Sequence, residues 1–106
     1  MIVVDTGVLY AAADSADAEH HPCLQLLETH AGPLIIPTPV IVEAAWLIES
    51  CLGLGAEVAF LRAICSSELT LADLTDADWR RAADLVETFS DLRLGLVDAS
   101  VIAVAE

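Results

Sequence analysis

Apolar residues fall along this chain in two kinds of run: short β-branched stretches and longer stretches at helical spacing. Residues 2–5 begin Ile2-Val3-Val4 and predict a strand that ends at Asp5, with Thr6-Gly7 as a turn. Residues 15–30 predict a helix with Leu24, Leu26 and Leu27 apolar and Glu28 exposed. Gly32-Pro33 breaks it, and Leu34-Ile35-Ile36 predicts a second strand. Thr38 reads as a helix N-cap with Pro39 at the first helical position. That helix runs to Cys51 and is ended by Gly53. Residues 55–66 predict another helix with Val58, Leu61, Ile64 and Cys65 on one side, and residues 68–72 a third strand. Thr75-Asp76-Ala77-Asp78 has capping-box character and opens a helix through Phe89. Residues 90–95 read as a loop, and residues 97–106 as a last, nearly all-apolar helix.

Helices that alternate with short buried strands predict an α/β fold with a parallel sheet covered on both faces. One domain over residues 1–106 is the natural reading at this length. An α/β sheet normally follows such a final helix with another strand, so the domain is expected to be C-terminally incomplete here.

Composition sharpens this picture. The chain is 57% hydrophobic, enough to fill a core and leave apolar surface for a partner. No apolar run is long and charge-free enough to span a bilayer, and no basic stretch precedes Ile2, so an intracellular protein is expected. The net charge is −13, from 17 acidic against 4 basic residues, all of them arginine. Such a balance opposes nonspecific nucleic-acid binding and favours metal cations and basic partners. Cys23, Cys51 and Cys65 form no C-x-x-C pair, and buried structural thiols are expected rather than disulfides or zinc ligands.

Three acids stand where an acid is costly. Asp5 ends the first strand, Glu43 lies within Val40-Ile41-Val42-Glu43-Ala44-Ala45-Trp46, and Asp98 within Leu96-Val97-Asp98-Ala99-Ser100-Val101-Ile102. A carboxylate in apolar surroundings must pair, protonate or bind a cation. Ligands of open α/β sheets gather beyond the carboxyl ends of the strands. Each acid also has a plainer role open to it: Asp5 in a turn, Glu43 on an exposed helix face, Asp98 as a helix N-cap. Thr6 adds a hydroxyl beside Asp5, able to orient a carboxylate or a phosphate oxygen, or simply to bond within a β-turn.

Val3-Val4-Asp5-Thr6-Gly7-Val8-Leu9, Pro39-Val40-Ile41-Val42-Glu43-Ala44 and Leu94-Gly95-Leu96-Val97-Asp98-Ala99-Ser100-Val101-Ile102-Ala103 resemble, in order and spacing, the acidic motifs of PIN-domain proteins. The likeness is to the VapC-type ribonuclease toxins of bacterial toxin–antitoxin pairs. It implies a three-layer α/β/α fold with a short parallel central sheet. It implies a cytoplasmic, Mg²⁺- or Mn²⁺-dependent endoribonuclease with Asp5, Glu43 and Asp98 as metal-binding and catalytic acids and Thr6 as an auxiliary. It also implies a homodimer, a cognate antitoxin and an RNA substrate. PIN domains usually carry a further acid after the last helix, and this sequence stops at Glu106 before that segment.

Other groups are read more plainly. Asp14, Asp17 and Glu19 beside His20 and His21 suit a solvated helix start, and Asp91 a loop cap or a bridge to Arg93. His30 sits near a helix end, and Ser100 has no partner histidine at plausible spacing. Gly53-Leu54-Gly55 lacks the lysine of a phosphate loop. Trp46 and Trp79 are expected in the core or an interface, and Arg80 and Arg81 on an exposed helix face. Two other function classes compete. A noncatalytic acidic interaction module is one. A haloacid-dehalogenase-type phosphatase is the other, and it would need an acid where Gly7 stands.

Overall fold

The computed structural model describes residues 2–67 and 69–106. The chain folds as β1 (Ile2–Val3), α1 (Thr6–Ala13), α2 (His20–Thr29), β2 (Leu34–Pro37), α3 (Thr38–Leu52), α4 (Leu54–Ser66), β3 (Thr70–Ala72), α5 (Asp76–Thr88) and α6 (Leu96–Ala105), with a short 3₁₀ turn at Ser90–Leu92. The three strands make one parallel sheet in the order β1-β2-β3. Ile2 faces Leu34, and Ile35 faces Thr70 across the ladders. This is the helix-rich α/β fold with a parallel sheet that the alternation of runs predicts.

The sheet is short because each strand contributes only two to four residues. Bonds just outside the strands extend it: the Ile2 amide donates to Pro33 O at 3.1 Å and the Val4 amide to Ile35 O at 2.8 Å. The core is built around Val4, Leu9, Leu34, Ile36, Val40, Ala44, Ile48 and Phe60. On α3 the spacing Val40, Ala44, Ile48 puts one residue per turn on the buried face, as helical periodicity requires. On α4 buried Phe60, with half-buried Ala56 and Ile64, faces the core, while Val58, Leu61 and Cys65 are exposed. The predicted stripe was therefore rotated: the bulky aromatic is what reaches the sheet. A second small cluster, Ala82, Leu85 and Ala99, joins α5 to α6. A bidentate pair from Arg81 to Glu106, at 2.7 and 3.1 Å, ties the same two helices together.

Several boundaries move. Helix α1 was not foreseen, because Thr6-Gly7 reads as a turn; Asp5 is instead the N-cap of a helix. Residues 14–19 form turns, so α2 begins at His20. The cap of α3 is Pro37, with Thr38 already helical. The third strand is confined to Thr70–Ala72, and Glu68 lies outside the described residues. Cys51 and Cys65 are exposed and Cys23 is half-buried; all three are free, so the expectation of buried thiols fails. Trp46 and Trp79 are 64% and 49% exposed, which removes them from the core. No helix of the described residues is long and apolar enough to cross a membrane.

The capping box is formed as predicted. Thr75 Oγ1 accepts from the Asp78 amide at 3.1 Å, and Asp78 Oδ2 accepts from the Thr75 amide at 3.0 Å. Thr75→Ala should lower stability by about 1 kcal/mol, the usual value of an N-cap hydroxyl. Urea denaturation checks it, with a shifted midpoint at unchanged slope.

Candidate metal centre

Asp5 follows β1 directly and holds extended backbone angles, φ −103° and ψ 177°. Its Oδ1 accepts from the Val8 amide at 3.2 Å, which satisfies one orphan donor of α1 and fixes that oxygen. The residue as a whole is exposed. Thr6, the first helical residue, is only 8% exposed. Its Oγ1 is buried without a hydrogen-bond partner among the described residues. A hydroxyl left this way costs about 1–3 kcal/mol.

Glu43 sits in the second turn of α3, which starts where β2 ends. It is half-buried, flanking the Val40–Ala44–Ile48 stripe, while Val42 and Trp46 on the outer face are exposed. The fully exposed helix face open to it in the sequence is thus excluded. Asp98 is exposed in the first turn of α6. The cap of that helix is Gly95, which removes the N-cap role for Asp98. An anion there is favoured by the helix macrodipole.

The elements that carry these residues are packed on one another. Helix α3 contacts α1 and α6, and α6 contacts β1 and β2. None of the three acids has an ion pair among the described residues, where Arg81–Glu106 is the pair formed. The side chains are not gathered into a finished cage: among the described residues, no three His, Cys, Asp or Glu groups are arranged to hold a metal ion. What fits a hard divalent cation is the donor set, all carboxylate oxygen, together with a buried hydroxyl beside Asp5 that lacks a partner among the described residues. Gly7 adds no obstruction, since a Cβ there would lie 3.7 Å from Asp5 Oδ1, an ordinary contact.

The neighbouring polar groups are spent on structure. Tyr10 donates to Asp14 Oδ2 at 3.0 Å. That bond, then burial, the Asp14 charge and nearby Cys51 push the phenol up to about 12. Asp14 and Asp17 also accept from the Ala16 and Glu19 amides. His20 Nδ1 lies 2.9 Å from Ala11 O. The acid–histidine group is therefore a set of turn bonds at a helix start. Burial, with the fields of Glu19, Asp17 and Asp5, raises the Cys23 thiol, which keeps it protonated and poorly nucleophilic. Ser100 is fully buried and donates to Val97 O at 2.6 Å. Asp91 lies within the 3₁₀ turn and forms no bridge to Arg93 among the described residues.

A second feature escaped the sequence. Helices α1, α2 and α4 and strand β2 enclose an open groove of about 610 Å³, lined by Leu9, Leu24, Leu27, Phe60, Ile64 and Leu69 among others. Its walls come from distant stretches, so no local pattern announces it.

Three comparisons bear on the chain as a whole. The pattern of the PIN-domain family matches residues 2–106. Ribonuclease VapC26 of Mycobacterium tuberculosis is 29% identical over 105 residues, covering 99% of this chain and 78% of the relative. The crystal structure of Mycobacterium tuberculosis VapC20, described as a sarcin–ricin loop cleaving toxin, superposes with a TM-score of 0.87 at 23% identity. It covers 98% of this chain and 80% of that one, and shows a shared fold.

Proposed function

The chain belongs to the PIN-domain family, and we propose that it is a metal-dependent endoribonuclease, the toxin of a type II toxin–antitoxin pair. The observation that carries this reading is a trio of carboxylates, Asp5, Glu43 and Asp98, without ion pairs among the described residues, on elements packed against each other in a chain of that family. Its similarity to a VapC ribonuclease over nearly its whole length supports the reaction class.

Asp5, Glu43 and Asp98 would hold the cation, Mg²⁺ or Mn²⁺ by the hardness of their oxygens. When bound, the cation supplies Lewis-acid polarisation of the phosphodiester and a lowered pKa for an attacking water. The chain's own contribution is positional. The Val8 amide fixes one Asp5 oxygen, the core stripe of α3 restrains the backbone under Glu43, and the first turn of α6 carries Asp98.

The −13 charge repels RNA, so the cation also offsets repulsion at the point where a phosphate must approach. The same charge suits a basic partner. The apolar groove between α1, α2 and α4 suits an amphipathic antitoxin helix. Exposed Val42 and Trp46 on α3 and Trp79 and Val86 on α5 offer apolar surface for a homodimer. A cytoplasmic location follows from an RNA substrate and free thiols.

The test is cleavage of single-stranded RNA by the chain and by Asp98→Asn, each with and without Mg²⁺ or Mn²⁺. Cation-dependent cleavage lost in the variant supports the nuclease. Equal cleavage by both would mean a contaminating ribonuclease. Hydrolysis of small phosphomonoesters instead would favour the phosphatase.

A further inference from the structure

The four arginines are not equivalent in the fold. Helices α5 and α6 run antiparallel: Arg81, in the second turn of α5, reaches Glu106 just past the last turn of α6, and Ala82 and Leu85 meet Ala99. The connecting segment, residues 89–95, therefore lies at the end of the pair where the first turn of α6 carries Asp98. Arg80 and Arg81 stand at the opposite end, and Arg62 is on α4, which packs on α3. Arg93 is the arginine that shares an end with Asp98. Its backbone is also unusual. Arg93 holds φ 53° and ψ 41°, the positive φ found outside glycine among the described residues. Left-handed backbone crowds a Cβ, so glycine or asparagine would sit there at lower cost. The guanidinium offsets none of that cost through an ion pair: Arg93 is exposed and has no such partner among the described residues, although the chain holds 17 acidic residues and Asp91 is two positions away. Strained backbone of this kind is concentrated at binding and catalytic sites.

We propose that Arg93 binds a phosphate of the RNA that flanks the scissile one, holding the strand across the acidic site. This rests on the nuclease reading of Asp5, Glu43 and Asp98. The net charge of −13 repels RNA, and a cation held by the acids acts at the phosphate being cleaved. The flanking phosphates need a positive partner of their own. Arg93 stands five positions before Asp98, and five residues span at most about 17 Å. Leu94 and Gly95 lead directly into α6, so the helical turn that follows shortens this further. The guanidinium is thereby placed within a few nucleotides of the acids. Its fork presents parallel N–H donors that match two oxygens of one phosphate, and such a contact fixes the strand's position without reading its bases.

The test is single-turnover cleavage of a defined single-stranded RNA with Mn²⁺, the full chain in varied excess, beside thermal melts. It compares the unsubstituted chain with Arg93→Ala, Arg93→Gly and Arg80→Ala. The half-saturating chain concentration reports RNA binding, and the plateau rate reports the chemistry. Arg93→Ala should raise the half-saturating concentration about tenfold, as loss of one charge-assisted hydrogen bond does, and leave the plateau rate within about twofold. The slope of log affinity against log salt should become shallower by about 0.7, the share of one phosphate contact on a single strand. Arg80→Ala, at the far end of the helix pair, should change neither. Arg93→Gly should bind RNA as weakly as the alanine variant while its Tm holds or rises, because glycine accepts the left-handed backbone. Unchanged half-saturation and salt slope in Arg93→Ala would overturn the proposal, and cation-dependent cleavage by that variant would leave the nuclease reading standing. A plateau rate lost at unchanged half-saturation would also overturn it. So would a lower Tm in both Arg93 variants, which would mean that the guanidinium is bonded inside the fold. An unsubstituted chain without cation-dependent cleavage would overturn both readings.

Discussion

Replacing Asp98 by asparagine should reduce cation-dependent RNA cleavage by at least about a thousandfold while the chain stays folded. A divalent cation contributes several kcal/mol of charge stabilisation to phosphodiester hydrolysis, and each 1.36 kcal/mol is about tenfold in rate. Asparagine keeps the shape of the side chain and removes one of the negative charges that would hold the cation. The structural cost is small because Asp98 is exposed, caps nothing and has no ion pair among the described residues. Only its interaction with the helix dipole is lost, about 0.3–1 kcal/mol. Single-turnover rates on a defined RNA, read beside thermal melts, separate the two effects. A rate within threefold of the unsubstituted chain would remove Asp98 from the site.

The largest effect on stability is expected from Ile48→Ala. Ile48 is fully buried in the stripe that seats α3 in the core with Phe60 and Ile36. Truncation loses the transfer energy of the side chain and leaves a cavity that close packing prevents from collapsing, about 2–5 kcal/mol together. In a domain of this size each kcal/mol moves Tm by roughly 4–8 °C, so a drop of about 10 °C or more is expected. Glu49→Ala, one residue along on the exposed face, should stay within about 0.5 kcal/mol. Similar losses in the two variants would mean that α3 is seated the other way round.

Much of this fold is legible because its signals are local. The capping box at Thr75, the stop at Gly53 and the breaker Gly32-Pro33 each work within a few residues, and each marks an observed helix or strand end. Gly53 adopts φ +95°, a conformation open to glycine at little cost, which is why it ends α3. Helix α1 was hidden because Asp, Thr and Gly are turn formers by local bonding. The same Asp5 oxygen that would make a turn caps a helix, and only the following Val8-Leu9-Tyr10-Ala11 run decides between them. The exposed cysteines and tryptophans were misplaced for another reason. Apolar type indicates what can be buried, whereas the available neighbours determine what is buried, and α4 spends its inner face on Ala56 and Phe60. The acids were legible as motifs. The unpartnered Thr6 hydroxyl and the α1–α2–α4 groove were not, since both depend on which distant segments meet.

The central assertion is that carboxylates from three separated stretches serve one divalent ion. Diffraction from crystals soaked in Mn²⁺, with data collected at the manganese absorption edge, addresses it without relying on turnover. The account predicts an anomalous peak within coordinating distance of Asp5, Glu43 and Asp98, either directly or through an intervening water. Manganese bound only elsewhere, with those three side chains unmoved, would contradict it.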